Sequence, residues 1–291
     1  MRRYFERKPL PDLAFVPDAG SEIINREKGR LLVRLHAPTP DSSIELSAGV
    51  MPNIVPDLCE VTSYAESDLA VQPSRRTIAK ACLRTKRKYC GKSWHGAWPS
   101  GGTNAVALAI AEIRGSGIAT RNALLEFISD RISNETDGSS LGIACADKLS
   151  GELTLNLGVV KAGRPESESL LDIRYPVTYR SGLLLEAIRN AIHTYGIEMT
   201  VVSDDPPLFV DEDSILVRKL KIAHEKATGQ KAIVQSMGGK TYASCLGNRG
   251  VAFGPGAGVG AHQIDEWVDL DRLMRHLWIS TQAMYELAFT K

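Results

Sequence analysis

No apolar run in this chain approaches the roughly 18 residues that a membrane-spanning helix needs. Cysteine is scarce: the five, at positions 59, 82, 90, 145 and 245, are odd in number and scattered, and no CxxC pair exists. That pattern fits reduced thiols in a cytoplasmic protein. The opening MRRYFERKPLPD has basic residues but no apolar stretch behind them, so it does not read as a secretory signal. Repeats and low-complexity tracts are missing. So is an excess of either charge: the net value is +1, which suggests neither a nucleic-acid nor a membrane partner. Acid is absent locally, however. From Leu69 to Ala111 there is no Asp or Glu, while Arg75, Arg76, Lys80, Arg84, Lys86, Arg87, Lys88 and Lys92 fall in the same window. This is either a solvated basic face or a positive field that draws in carboxylate substrates. No aromatic-basic motif accompanies it, which makes nucleic acid the weakest of the three readings.

What is present is a globular composition, 43% apolar and 24% charged, in a chain of 291 residues, enough for two ordinary domains. The opening, with Pro9, Pro11 and Pro17, is expected to be extended. GRLLVRLHA (29–37) and SIELSAGV (43–50) read as strands. The second forms an apparent hairpin with LCEVTSYA across the Pro-bounded turn MPNIVPD (51–57). ACLRTKRKYC (81–90) is a further strand. Helices are expected over 104–113 and 122–132, strands over 152–163 and 168–177, and helices over 181–196 and 213–229. IEMTVVSDDPPLFV reads as a lead-out through two prolines. A Gly-rich turn, a short helix, the strand GVAFG, a Gly loop and a final helix to about Ala288 close the chain. The pattern is mixed α/β, as one domain inserted into another would produce.

Six histidines occur, and four of them (36, 193, 224, 276) lie in expected strands or helices. His95 and His262 sit in Gly-containing loops, where geometry is bought by backbone freedom. GKSWHGAWPSGGTNAV (91–106) holds His95 between Trp94 and Trp98 in a turn with four Gly and one Pro. VGAHQIDEW puts Asp265 and Glu266 close behind His262, as in a metal ligand with a supporting carboxylate or a plain surface loop. Arg174, in LDIRYPV, wants an anion among apolar neighbours; a substrate carboxylate and a buried ion pair both satisfy it. Asp18, in FVPDAGSE, is a lone carboxylate after an apolar run.

In chain order, PDA (17–19), MPNIVPD (51–57), GKSWHGAWPSGGTNA (91–105), LDIRYP (171–176), MGGKTYAS (237–244), GVAFGP (250–255) and AHQIDE (261–266) form a series. The series resembles the M20 family of dinuclear-zinc metallopeptidases, and within it the dipeptidase branch with a large lid, of PepV or Xaa-His dipeptidase type. The resemblance runs through nearly the whole chain. It implies a two-zinc site that hydrolyses dipeptides or short peptides, with Asp18 a ligand of one metal and His262 of the other. It implies that His95 stabilises the oxyanion, and that Asn53 and Arg174 hold the substrate, Arg174 gripping its free carboxylate. Backbone N–H groups of Gly238 and Gly239, with Thr241, would line the same end. Lys240 stands where the family's turn has a third Gly, and would either clamp the substrate carboxylate or crowd the site.

The family's HxDxVP-like segment, its bridging Asp and its Glu-Glu pair are not in this sequence. The chain therefore resembles the C-terminal part of such an enzyme. Residues 1–28 and 204–291 would be a partial catalytic domain of α/β type, and 29–203 an inserted two-layer α/β lid. One ligand per zinc does not retain the metal, so the chain alone is expected to bind no zinc pair and to hydrolyse no dipeptide. Its expected partners are a short peptide and a separate N-terminal half. The alternatives are a non-catalytic remnant that binds peptides through Asn53, His95 and Arg174, and an interaction domain that dimerises through its sheet edge.

Overall fold

The structure is a computed structural model; residues 21, 22, 41, 67–81, 257, 260–264, 266, 290 and 291 lie outside the residues it describes. The fold is mixed α/β and is built on two sheets. The larger takes β3 (Gly29–Pro38), β4 (Ile44–Ala48), β5 (Leu58–Glu66), β6 (Cys82–Cys90), β7 (Thr154–Ala162), β8 (Glu166–Tyr175) and β9 (Glu198–Asp205). Its order is β9-β3-β8-β7-β4-β5-β6, antiparallel throughout. The other takes β1 (Ala14–Val16), β2 (Ile23–Glu27), β10 (Leu208–Phe209), β11 (Val234–Met237) and β12 (Gly250–Phe253). Its order is β1-β12-β2-β10, with β11 parallel to β2. The chain leaves the small sheet after β2 and returns to it at β10.

Alternation explains the larger sheet. Leu31, Val33 and Leu35 point into one core while Arg34 faces water, as a period of two requires. That core is closed by α1 (Ala105–Gly115), α2 (Ala123–Arg131) and α3 (Ser181–His193), through Val106, Ile110, Phe127, Ile128 and Ile188. The helix starts follow from side chains. Asn104 accepts the Val106 N–H at 2.9 Å, and Asn122 accepts that of Leu125 at 3.2 Å. A second core joins the small sheet to α4 (Ile215–Thr228) and α5 (Leu270–Phe289), through Ile23, Val217, Leu220, Phe253, Ile279 and Ala283. α4 starts at Ser214, whose hydroxyl accepts the Val217 N–H, and ends on Gly229 at φ 72.

Two places differ from the sequence reading. Glu198–Asp205 is an edge strand rather than a lead-out; most of its residues are exposed or half-buried on both faces, so no alternation marks it. Within the opening, Arg2–Phe5 forms one helical turn ahead of the prolines. The sheets are joined by two short crossings, Lys28 between β2 and β3, and Pro206–Pro207 between β9 and β10. Among the described residues no helix is long and apolar enough to cross a membrane.

Candidate active site

The His95 loop is zipped to the turn before β5. The Gly96 N–H donates to the Asn53 carbonyl at 2.7 Å, that of Val55 to Trp94 at 2.9 Å, and Ile54 and His95 form an isolated bridge. Buried Asn156, on β7, donates to the Pro52 and Ile54 carbonyls at 2.8 and 3.0 Å and fixes the turn from beneath. Gly96 is required here: a Cβ would lie 2.8 Å from the Asn53 carbonyl carbon and oxygen. The half-buried His95 ring is held at one nitrogen, because the Ala97 N–H donates to its Nδ1 at 3.1 Å. In the neutral ring the proton is then on Nε2, which makes that atom a donor. Trp98 flanks the ring, with centroids 5.3 Å apart.

Arg174 projects from β8 and is buried. Its Nε and Nη2 donate to the two oxygens of Asp172 at 2.7 and 2.9 Å, and its Nη1 reaches the Gly238 carbonyl at 3.4 Å. Arg30, on β3, also pairs with Asp172, at 3.1 Å. Of the two anions the sequence allows for Arg174, this structure displays the buried ion pair. Its partner was legible: residues two apart on a strand share a face, and Asp172 precedes Arg174 by two.

Gly238 lies against the His95 loop as well. A Cβ there would stand 3.4 Å from the Ala97 Cβ and carbonyl oxygen. Beyond Gly239, Thr241 turns back to Glu27 at the end of β2. The fully buried Glu27 carboxylate accepts the Thr241 hydroxyl and, at 3.3 Å, its N–H. Burial raises the Glu27 pKa; the Thr241 bonds and the Lys240 charge oppose this, while the Asp18 charge adds to it. Glu27 escaped the sequence reading because β2 is buried on both faces, so an acid on it breaks no visible alternation. Lys240 donates to the Pro206 carbonyl at 2.6 Å.

Asp18 is exposed, in a turn where Ala19 takes φ 69 and donates its N–H to Asp18 Oδ1 at 2.7 Å. It shares a cavity of about 430 Å³ with Asp205, Lys240, Thr241, Tyr242, Ser244 and Cys245. The Asn53 turn is thus bonded to the His95 loop through Gly96, Arg174 is bonded to Gly238, and Gly238 lies beside Ala97 of that loop; Asp18 shares the next cavity with Thr241, which follows Gly239 by two residues. His262 lies outside the described residues, as do Glu266 and, in the basic window, Arg75, Arg76 and Lys80. Within the described part of that window Lys88 pairs with Glu60 at 2.7 Å and Arg87 pairs with Glu112.

No family model matches the chain. It is similar to the putative dipeptidase YtjP of Bacillus subtilis, 32% identical over 310 residues that cover 99% of this chain and 66% of the relative. A putative dipeptidase of Staphylococcus aureus strain USA300 is 26% identical, with 98% and 66% covered. The chain therefore spans just under two thirds of the curated relatives it matches. Among solved structures, the aminoacylhistidine dipeptidase of Vibrio alginolyticus superposes with a TM-score of 0.52 at 13% identity, covering 95% of this chain and 65% of that one. The aminopeptidase PepT of Bacillus cereus gives 0.50 at 12% identity, covering 97% and 59%. The chain shares the mixed α/β fold of these two peptidases. In that fold the His95 loop and the Arg174 strand belong to the larger sheet and the Gly238 turn follows the last residue of β11, so the contacts above draw on both sheets.

Proposed function

We propose that this chain is the substrate-holding part of an M20-type metallodipeptidase that cleaves dipeptides or short peptides in the cytoplasm, with two zinc ions in the completed site. The observation that carries this reading is the convergence of Arg174 and the His95 loop on the Gly238 carbonyl turn. A donor fixed at Nε2 of His95 suits charge that develops on a peptide carbonyl oxygen as it is attacked. Arg174 acts on substrate by holding Gly238, and Asn53 by holding Gly96.

Zinc needs about three protein ligands besides water or substrate. Among the described residues no group of three His, Cys, Asp or Glu stands close enough to hold a metal. The described residues therefore do not fit a zinc pair. We assign Asp18 and His262 one ligand bond each, with the remaining ligands on a further polypeptide.

The surface of α5 supports such a partner. Its buried face runs through His276, Ile279, Ala283 and Glu286. The opposite face carries Leu270, Met274, Leu277, Trp278, Tyr285 and Phe289, all more than half exposed. A helix apolar on both faces is suited to burial on both. Strand β1 adjoins this helix and, among the described strands, pairs only with β12, which leaves its outer edge for another strand. Elemental analysis of the purified chain tests the ligand assignment. The expected result is less than one tightly held zinc per chain; two per chain would overturn it.

A further inference from the structure

We infer that the outer edge of β6 is a docking surface for an extended acidic segment of a second protein, which joins the larger sheet as an added strand. This stands whether or not the chain cleaves peptides. The nine residues of β6 pair with Leu58–Glu66 of β5 without a register shift, and among the described residues β6 has no strand on its other side. Its alternate outward N–H and C=O groups are therefore placed to receive a further strand. β5 shows which face is which. Cys59 and Val61 are buried in the core, so Glu60, Thr62 and Tyr64 face away from it, and with them their partners Lys88, Lys86 and Arg84. All three of these bases are exposed.

One acid answers the three. Lys88 pairs with Glu60 at 2.7 Å and Lys86 acts on the same carboxylate from farther off, while Arg84 has no ion pair among the described residues. The next acid on that face, Glu45, stands two strands away, opposite Thr62. Lysine and arginine on an edge also deter unwanted pairing, and that role alone would leave the edge bare. What they select is a partner with acids at alternate positions, whose carboxylates fall beside Arg84, Lys86 and Lys88 at the strand period of roughly 7 Å per two residues. A second copy is the wrong occupant. Two β6 edges related by a two-fold axis set Lys86 against itself and Arg84 against Lys88. The opposite edge of the sheet, β9, suits β6 no better. Its register slips between Val201 and Ser203, and Asp204 already accepts from Ser181 at 2.6 Å.

The test is fluorescence anisotropy of a labelled peptide of four Glu-Val repeats, with the full chain at low ionic strength and the Lys-Val counterpart as control. The acidic peptide should bind at least about 10-fold tighter, and added salt should erode the difference. Arg84→Glu combined with Lys86→Glu should reverse the preference. Strand addition has its own signature on the unmodified chain. Of two acidic analogues, one N-methylated at every Glu and one at every Val, one should lose binding and the other keep it, because alternate N–H groups face the edge. No binding of the acidic peptide, equal binding of the two analogues, or a preference unchanged by the double substitution would overturn the inference. So would a thymidine oligonucleotide of equal charge that displaces the acidic peptide, which would make the edge a nucleic-acid surface. Protection of the β6 amides from exchange in the free chain at high concentration, lost on dilution, would give the edge to a second copy and overturn it too.

Discussion

A histidine ring shows which proton it can give only through the atom that fixes its other nitrogen. At His95 that atom is the Ala97 N–H, two residues on, so the assignment of Nε2 as donor is made by the loop's own backbone. His276 is set differently. It is buried against Phe253, with centroids 5.6 Å apart, His224 lies 6.3 Å from the same ring, and the Nε2 of His276 has no hydrogen-bond partner among the described residues. Burial lowers its pKa, a hydrogen bond to the Phe253 backbone opposes this, and His224 adds to the lowering. The folded chain therefore holds His276 neutral where the unfolded chain, near its ordinary value of 6.5, takes a proton. Its contribution is fully present above pH 6.5 and is lost as the pH falls below it. Urea unfolding should show stability dropping from pH 7 towards pH 5, with at most about 1.4 kcal/mol per pH unit from this one site. In His276→Leu that part of the slope should vanish, whatever the variant's stability at pH 8. An unchanged slope would mean the ring is not titrating between the two states.

At the scale of elements, the site depends on two loops that share one hydrogen-bonded seam. Gly96→Ala forces a methyl group into the Asn53 peptide, which cannot move without breaking the Asn156 bonds on either side of it. Urea denaturation should show a loss of about 1–3 kcal/mol; no loss would mean the seam is loose. These elements were largely legible in the sequence. Asn104, Asn122 and Ser214 mark helix starts, Gly229 marks a stop, and β3 alternates openly. The edge strand Glu198–Asp205 was not legible, because a strand exposed on both sides writes no pattern. At the site, Asn53, His95, Arg174, Gly238 and Thr241 were named from motifs alone. What motifs did not carry was partnership between distant parts of the chain: that Glu27 would hold Thr241. That pairing depends on which segments the fold makes neighbours, because it bridges residues 27 and 241.

For the molecule as a whole, two cores of unequal closure are joined at Lys28 and Pro206–Pro207. The larger is covered by three helices. The smaller presents an apolar helix face and a strand edge. The contacts at Gly238 link elements of the two sheets, and the proposed function has that arrangement seat a peptide. The most direct test of this account is hydrolysis of a dipeptide with zinc supplied, measured for the chain alone and after mixing with the remaining third of the Bacillus subtilis relative made as a separate polypeptide. The account predicts no hydrolysis by either piece alone, hydrolysis by the mixture, and a loss of roughly 100-fold or more in the mixture when the chain carries His95→Ala. Hydrolysis by the unmodified chain alone, or equal rates with and without the His95 ring, would contradict it.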